Sequence, residues 1–380
     1  MERAQGSGGS DGYLLLEDDT RFEGRLAGAG RAGVGEAVFT TNMTGYQEVL
    51  TDPSYAGQVV TMTAPMMGVY GTRADDDQSR RPWVAGFVVR HLTDDPAGPG
   101  AGTLPDYLAG HDIPVLTGVD TRAVTRRIRE AGAMRAVIAP GSEPVEAARE
   151  RLEAEPDMNG RDLATVVSTP EPYELPAEGP ERGLVLCLDY GVKRRSLDLI
   201  RAEGYRVRVV PWDTSADDLV SAGAAGLFVS NGPGDPAAVP GAAERIRTAA
   251  EADLPVFGIC LGAQLVALTW GGETFKLPYG HRGGNHPVRN LDTDHVEITS
   301  QNHGFAVREE DGAVAGAPDL RVTHRNLNDG TIEGVAHRSL PVFAVQYHPE
   351  AAPGPHDSRY LFDRFVDAMR PVGGRAAASR

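Results

Sequence analysis

Apolar positions along the chain change texture once, near residue 183. From Tyr13 to about Leu163 they come in short runs: Tyr13-Leu-Leu-Leu-Glu17, Ala37-Val-Phe-Thr-Thr41, Gln58-Val-Val-Thr-Met62 and Trp83 to Arg90. Asp52-Pro53, Gly68, Gly71 and Asp94-Asp95-Pro96 separate them, so the runs predict strands joined by turns. Two helices are predicted among these strands. One follows Asp120-Thr121, runs from Ala123 to Glu130 and stops near Gly132; the other covers Pro144 to Ala154. Residues 11–168 are therefore expected to form a smaller, mixed β/α amino-terminal domain.

The stretch 169–182 opens with Thr169-Pro-Glu-Pro-Tyr-Glu-Leu-Pro176 and has no apolar period, which predicts a linker. Beyond it, Leu184 to Leu188 is a continuous apolar run of the kind that parallel strands buried on both faces require. Strand-like and helix-like segments then alternate: Lys193 to Glu203 (helix, ended by Gly204), Tyr205 to Val210, Asp217 to Ala222 (helix), Gly226 to Ser230, Gly241 to Ala252 (helix) and Pro255 to Ile259. Val342 to Tyr347 and a helix over Tyr360 to Met369 complete the series. Alternation at βαβ spacing predicts an α/β fold for residues 183–371, with an open, mostly parallel sheet and flanking helices. No internal repeat interrupts it. Residues 1–10, polar and rich in Gly and Ser, and residues 372–380 are expected to be disordered tails.

Composition narrows the class. The chain has 380 residues, enough for two domains, and a formal charge of −16. That charge repels nucleic acid and anionic membranes at long range, so no polynucleotide or membrane partner is expected. The most apolar stretch, Pro255 to Trp270, is too short and too broken by Gly258, Gly262 and Gln264 to span a bilayer. No leader-like segment is read at the start, and a cytoplasmic location is expected. The two cysteines, Cys187 and Cys260, do not form a Cys-x-x-Cys pair, so neither a disulfide framework nor a structural zinc site is expected.

Cys260 sits in Gly258-Ile-Cys-Leu-Gly262, between a buried strand and a helix predicted over Ala263 to Trp270. This is the thiol form of a nucleophile elbow. A sharp strand-to-helix turn exposes the sulfur, and the glycines remove side chains that would clash. The helix N-terminus favours the thiolate, and the backbone N–H of Leu261 is free to bind an oxyanion. Cys187, mid-strand, reads as core packing. A thiol nucleophile needs a base and the base an orienting group. His348-Pro349-Glu350 supplies both, because residues two apart in extended chain point the same way. A second oxyanion donor is expected from Ser230-Asn-Gly-Pro-Gly-Asp-Pro236, which follows a buried strand; Gly232 and Gly234 let backbone approach a ligand. Gln301-Asn-His-Gly-Phe305 suits recognition of a polar small molecule. His281 and His286 flank a glycine-rich loop, at a spacing that fits no zinc template, and no metal site is expected. The chain has no G-x-x-x-x-G-K-[ST] loop, and no G-x-G-x-x-G run joins a strand to a helix as a dinucleotide fingerprint requires.

Taken together, GICLGAQ, SNGPGDP, QNHGF and HPEA resemble a class I glutamine amidotransferase domain. TTNMTGYQEVLTDPSYAG and GVDTRAVTRRIRE resemble the amino-terminal domain of the carbamoyl phosphate synthetase small-subunit family, as do HRGGNHPV and PGPHD. The resemblance runs in order from Tyr13 to about Met369. It implies hydrolysis of L-glutamine and delivery of ammonia to a large subunit, with which the chain would form a heterodimer or a higher oligomer. Carbamoyl phosphate made there from bicarbonate would serve arginine and pyrimidine biosynthesis. It implies no cofactor on this chain, with ATP and a divalent metal on the large subunit. By motif it implies Cys260 as nucleophile, His348 as proton carrier and Glu350 as its orienting group. Gly232 and Leu261 would bind the oxyanion, and Ser54, Gly234, Gln264, Asn302, Gly304 and Phe305 would hold glutamine. One departure is Ala263, where many members have His; the triad is complete without it, so activity is expected to survive, with a slower intrinsic glutaminase as the alternative. Three rivals stay open on the sequence: the glutaminase subunit of another amidotransferase such as anthranilate synthase, a cysteine peptidase or esterase on the same scaffold, and a regulatory subunit with an inactive site.

Overall fold

Both faces of the first strand, Asp11–Leu16, are buried, which explains its unbroken apolar run. Tyr13 and Leu15 pack with Val137, Ala139 and two residues of the helix Val145–Ala154. Leu14 and Leu16 turn the other way, as a period of two requires. They join Leu26, Ala37, Val59, Val88, Leu116 and Ile138, so that every one of seven strands contributes to one apolar cluster. Those strands close into a barrel in the order Asp11–Leu16, Arg21–Gly28, Pro114–Thr117, Gly86–Val88, Gln58–Met62, Gly33–Thr40, Met134–Pro140. Closure leaves no free sheet edge. The sequence pattern predicts a mixed β/α unit but not this closure, because it reports which faces of a strand are buried and not which strands pair. The helix Thr121–Ala131 is capped by Asp120, whose side chain accepts from the Ala123 N–H at 3.0 Å, and ends at Gly132 with φ 95.

The structure is a computed structural model that describes residues 10–98 and 102–369. Contacts divide the chain into two units. The first holds residues up to Arg161 together with Pro278–Gly283; the second holds Asp162–Leu277 and the chain from Gly284 onward. The tails expected at 1–10 and 372–380 lie outside the described residues, apart from Ser10.

In the second unit, ten strands form one sheet. Its centre is parallel: Tyr205–Pro211, Gly183–Asp189, Gly226–Val229, Val256–Ile259 and Val342–Val345 lie side by side in that order. Alternation again divides the side chains between two apolar layers. Leu186, Leu188, Leu227 and Val229 face the helices Ala242–Glu251 and Leu261–Thr269. Val185, Cys187, Phe228, Phe257 and Val345 face Arg194–Ala202 and Tyr360–Met369. Among the described residues no helix is long and apolar enough to cross a membrane.

The sheet is less parallel than the sequence predicts. Beyond Val342–Val345 it continues antiparallel, through Ile332–His337, Val296–Val307, Thr274–Asn290 and Leu320–Asn326. The stretch expected as a linker adds one more antiparallel edge strand, Tyr173–Leu175, paired with Tyr205–Pro211. Likewise the glycine-rich segment between His281 and His286 is not a loop but part of the strand Thr274–Asn290. These strands carry Pro278, Gly280, Gly283, Gly284 and Pro287, or several polar residues in a row. That composition hides the period of two on which strand prediction rests.

Candidate active site

Four neighbouring parallel strands end on one edge of the second unit's sheet, and each delivers part of a single constellation. Gly183–Asp189 leads to Lys193, Gly226–Val229 to the Ser230–Pro236 turn, Val256–Ile259 to Cys260, and Val342–Val345 to His348 and Glu350. Carboxyl ends of parallel strands are where open α/β sheets gather their ligand-binding groups.

Cys260 has φ 55 and ψ −104, a left-handed setting that costs an ordinary residue on the order of 1–3 kcal/mol. Two glycines make the turn possible. A Cβ on Gly262 would lie 2.2 Å from the Val229 carbonyl oxygen, and one on Gly258 would lie 2.8 Å from the Gly262 backbone. Neither position has room for alanine. The helix starts immediately after the cysteine, at Leu261 rather than Ala263, so Cys260 is its cap and the Leu261 N–H is its first orphan donor. Gly232 has been brought against the same spot. Its added Cβ would meet the Tyr190 carbonyl oxygen at 2.1 Å and Leu261 Cδ2 at 2.8 Å.

His348 Nδ1 lies 2.7 Å from Glu350 Oε1, and both side chains are buried. Nε2 has no hydrogen-bond partner among the described residues. The Cys260 thiol lies close enough to act on the charge of the imidazole, while its Sγ donates to the Asn302 carbonyl at 3.5 Å. The sequence pattern does not single out the next member. Lys193 Nζ is 2.9 Å from the same Glu350 oxygen and donates to the Ala351 carbonyl at 2.6 Å. It is buried, with 3% of its side chain exposed. Its loop is fixed by polar side chains: Asp189 Oδ1 accepts from the Gly191 and Val192 N–H groups at 2.8 Å each. Ser230 Oγ accepts from the Tyr190 N–H at 2.9 Å, and Asn231 Oδ1 from the Lys193 N–H at 3.3 Å. The available signal was a lysine four residues past the end of a buried strand, on the same edge as the elbow.

Charges in this buried chain settle one another. Burial works against a charged imidazole, but the Glu350 carboxylate and then Cys260 outweigh it and raise His348 to about 10. Burial likewise works against a charged Glu350. Lys193, followed by His348, overcomes it and holds the carboxyl at about 2. The arrangement is a cysteine sulfur beside an imidazole that is backed by a carboxylate and an ammonium, and it can run nucleophilic acyl chemistry.

Of the remaining sequence-derived positions, Gln264 is buried and its Nε2 donates to the Phe305 carbonyl at 2.8 Å and to Gln346 Oε1 at 3.1 Å. Asn302, Gly304 and Phe305 lie together on the strand Val296–Val307, with Asn302 joined to Cys260 as above. Gly234 takes φ 90 in the turn beside Gly232, a backbone setting suited to glycine. Ser54 belongs to the first unit. It sits in the short turn Pro53–Tyr55, where its N–H donates to Asp52 Oδ1 at 2.9 Å.

Two family descriptions match the two regions. Residues 14–138 match the carbamoyl-phosphate synthase small chain, CPSase domain, and residues 186–368 match the glutamine amidotransferase class-I domain. The carbamoyl phosphate synthase small chain of Symbiobacterium thermophilum is 50% identical over 365 residues, covering 92% of this chain and 96% of that one. The chain belongs to the carbamoyl phosphate synthase small chain family. The Thermosynechococcus vestitus member is 49% identical over 372 residues, covering 94% and 96%. That of Thermus thermophilus is 46% identical over 373 residues, covering 95% and 94%. A small-chain domain preceding the amidotransferase domain sets aside the glutaminase subunits of other pathways. The chain is the amidotransferase component of a carbamoyl phosphate synthase.

Proposed function

We propose that Cys260, His348 and Glu350 form a catalytic triad that hydrolyses glutamine to glutamate and ammonia. The ammonia goes to a large, ATP-dependent chain that makes carbamoyl phosphate from bicarbonate for arginine and pyrimidine biosynthesis. The observation that carries this reading is the left-handed Cys260 beside the buried His348–Glu350–Lys193 chain on one sheet edge.

The sulfur attacks the side-chain carbonyl carbon of glutamine, its proton resting on His348. The carbonyl π pair moves to oxygen, where the Leu261 and Gly232 N–H groups receive it. Collapse of this intermediate breaks the carbon–nitrogen bond, and His348 gives its proton to the departing ammonia. A glutamyl thioester remains on Cys260. Water attacks it with His348 as base, glutamate leaves and the thiol returns. Glu350 holds the imidazole in orientation throughout, and Lys193 keeps Glu350 ionised. Asn302, Gln264, Gly234, Gly304 and Phe305 hold the glutamine. ATP and its divalent metal belong to the large partner, in keeping with a sequence that carries no G-x-x-x-x-G-K-[ST] phosphate loop. The small and large chains would act as a heterodimer or a higher assembly in the cytoplasm.

The test is ammonia release from glutamine, measured for this chain alone and again with its large partner, ATP and bicarbonate. A low rate that rises strongly on addition is the expected result. Full activity alone, unchanged by the partner, would leave a glutamine hydrolase without the coupling proposed.

A further inference from the structure

Past His348 and Glu350 the backbone runs against local preference. Ala351 and Ala352 take φ 58 and φ 61 in succession, a setting that costs a non-glycine residue roughly 1–2 kcal/mol each. Such a segment keeps its shape only when its surroundings over-determine it. The neighbouring strand Val296–Val307 supplies the restraint. Ser300 Oγ donates to the Pro353 carbonyl at 2.8 Å, and the Ile298 N–H donates to Asp357 Oδ2 at 3.0 Å.

Glu297 on that strand is buried, and three hydroxyls converge on it. Tyr347, the residue before His348, donates to Oε2 at 3.2 Å. Ser358 donates to the same oxygen at 2.7 Å, and Tyr360 donates to Oε1 at 2.7 Å. One carboxylate therefore ties together the two ends of the segment 348–357, which contains both His348 and Glu350. Neither Glu297 nor its three partners takes part in the chemistry described above.

We propose that Glu297 is a positioning residue for glutamine hydrolysis, bracketing the strained segment so that His348 and Glu350 stay aligned with Cys260. The inference rests on the reading of those three residues as the catalytic set. Glu297 is not expected to touch glutamine. Its loss should lower kcat and leave KM nearly unchanged, because it acts on the alignment of groups already in the site.

The experiment compares Glu297→Ala, Glu297→Gln and the double variant Tyr347→Phe/Ser358→Ala in complex with the large chain. Glutamine-dependent kcat and KM are measured alongside synthesis from added ammonia, which bypasses this chain's chemistry, and co-elution with the large chain, which reports assembly. For Glu297→Ala, kcat should fall about tenfold or more with KM within about threefold of wild type. Glu297→Gln should restore most of kcat, since an amide oxygen in the Oε2 place accepts both the Tyr347 and Ser358 hydroxyls. The double variant should behave like Glu297→Ala, and it decides the matter should Glu297→Ala fail to fold. A wild-type kcat in either bracket-breaking variant overturns the proposal. So does a Glu297→Gln as impaired as Glu297→Ala. Cys260→Ser, run in parallel, separates the two levels. If it keeps hydrolysing glutamine, the catalytic assignment fails; if it is inactive while Glu297→Ala is not, only the bracket fails.

Discussion

Cys260→Ser is expected to lower glutamine-dependent carbamoyl phosphate synthesis by on the order of 10⁴-fold or more. Synthesis from added ammonia should stay near the wild-type rate. The size of the first effect follows from what the sulfur does: it makes the covalent bond, and a hydroxyl in its place is a far weaker nucleophile. Serine is smaller than cysteine by little, so the elbow keeps its shape, and Gly258 and Gly262 still leave the turn its room. The second effect follows from the division of labour proposed, since ammonia supplied from solution bypasses this chain's chemistry. Parallel loss of both activities would mean that the substitution acts through folding or assembly, and the separate-site reading would lose its support.

Lys193→Met is expected to destabilise the second unit by about 3–5 kcal/mol near neutral pH. The substitution removes the group that contributes most to keeping Glu350 ionised and leaves a fully buried carboxylate with His348 as its remaining charged partner. Chemical denaturation of the full chain measures it. The pH dependence has a definite sign. In the wild type Glu350 titrates at about 2 instead of its ordinary 4.5, so it contributes stability fully above 4.5 and loses it as pH falls toward 2. Without Lys193 that contribution shrinks. The stability gap between variant and wild type should therefore be widest above pH 4.5 and close below it. A gap that stays constant across this range would show that Lys193 acts through packing alone. Glutamine hydrolysis should fall as well, but less than in Cys260→Ser, because an ionised orienting group contributes less than the nucleophile itself.

The parts of the site that were legible in the sequence are those whose chemistry is local. Gly258 and Gly262 are dictated by carbonyl oxygens within 3 Å of where a side chain would begin, so the elbow reads directly from residue types. His348 and Glu350 are two apart in sequence, but the 2.7 Å contact between them forms inside a tight turn, where the Ala351 N–H donates to the His348 carbonyl at 3.0 Å, and not on the extended chain that the sequence suggests. Lys193 was not legible for the opposite reason. Its partner lies in the turn beyond a different strand, and a lysine after a βα junction looks the same whether it is solvated or buried. Glu297 shows the same limit, since Tyr347, Ser358 and Tyr360 meet it only through the fold. At the level of architecture, the parallel strands of the second unit announce themselves as apolar runs. The antiparallel strands Thr274–Asn290 and Val296–Val307 do not, being rich in Gly, Pro and polar residues. Barrel closure in the first unit depends on pairing between Asp11–Leu16 and Met134–Pro140, more than a hundred residues apart, which no local pattern encodes.

The most direct test of the catalytic assignment is labelling with a glutamine chloroketone, followed by peptide mass spectrometry, with and without competing glutamine. The expected result is a single adduct on Cys260, blocked by glutamine, with ammonia release falling in proportion to the label. An adduct on Cys187, or an unlabelled Cys260 in a chain that still releases ammonia from glutamine, would contradict the assignment.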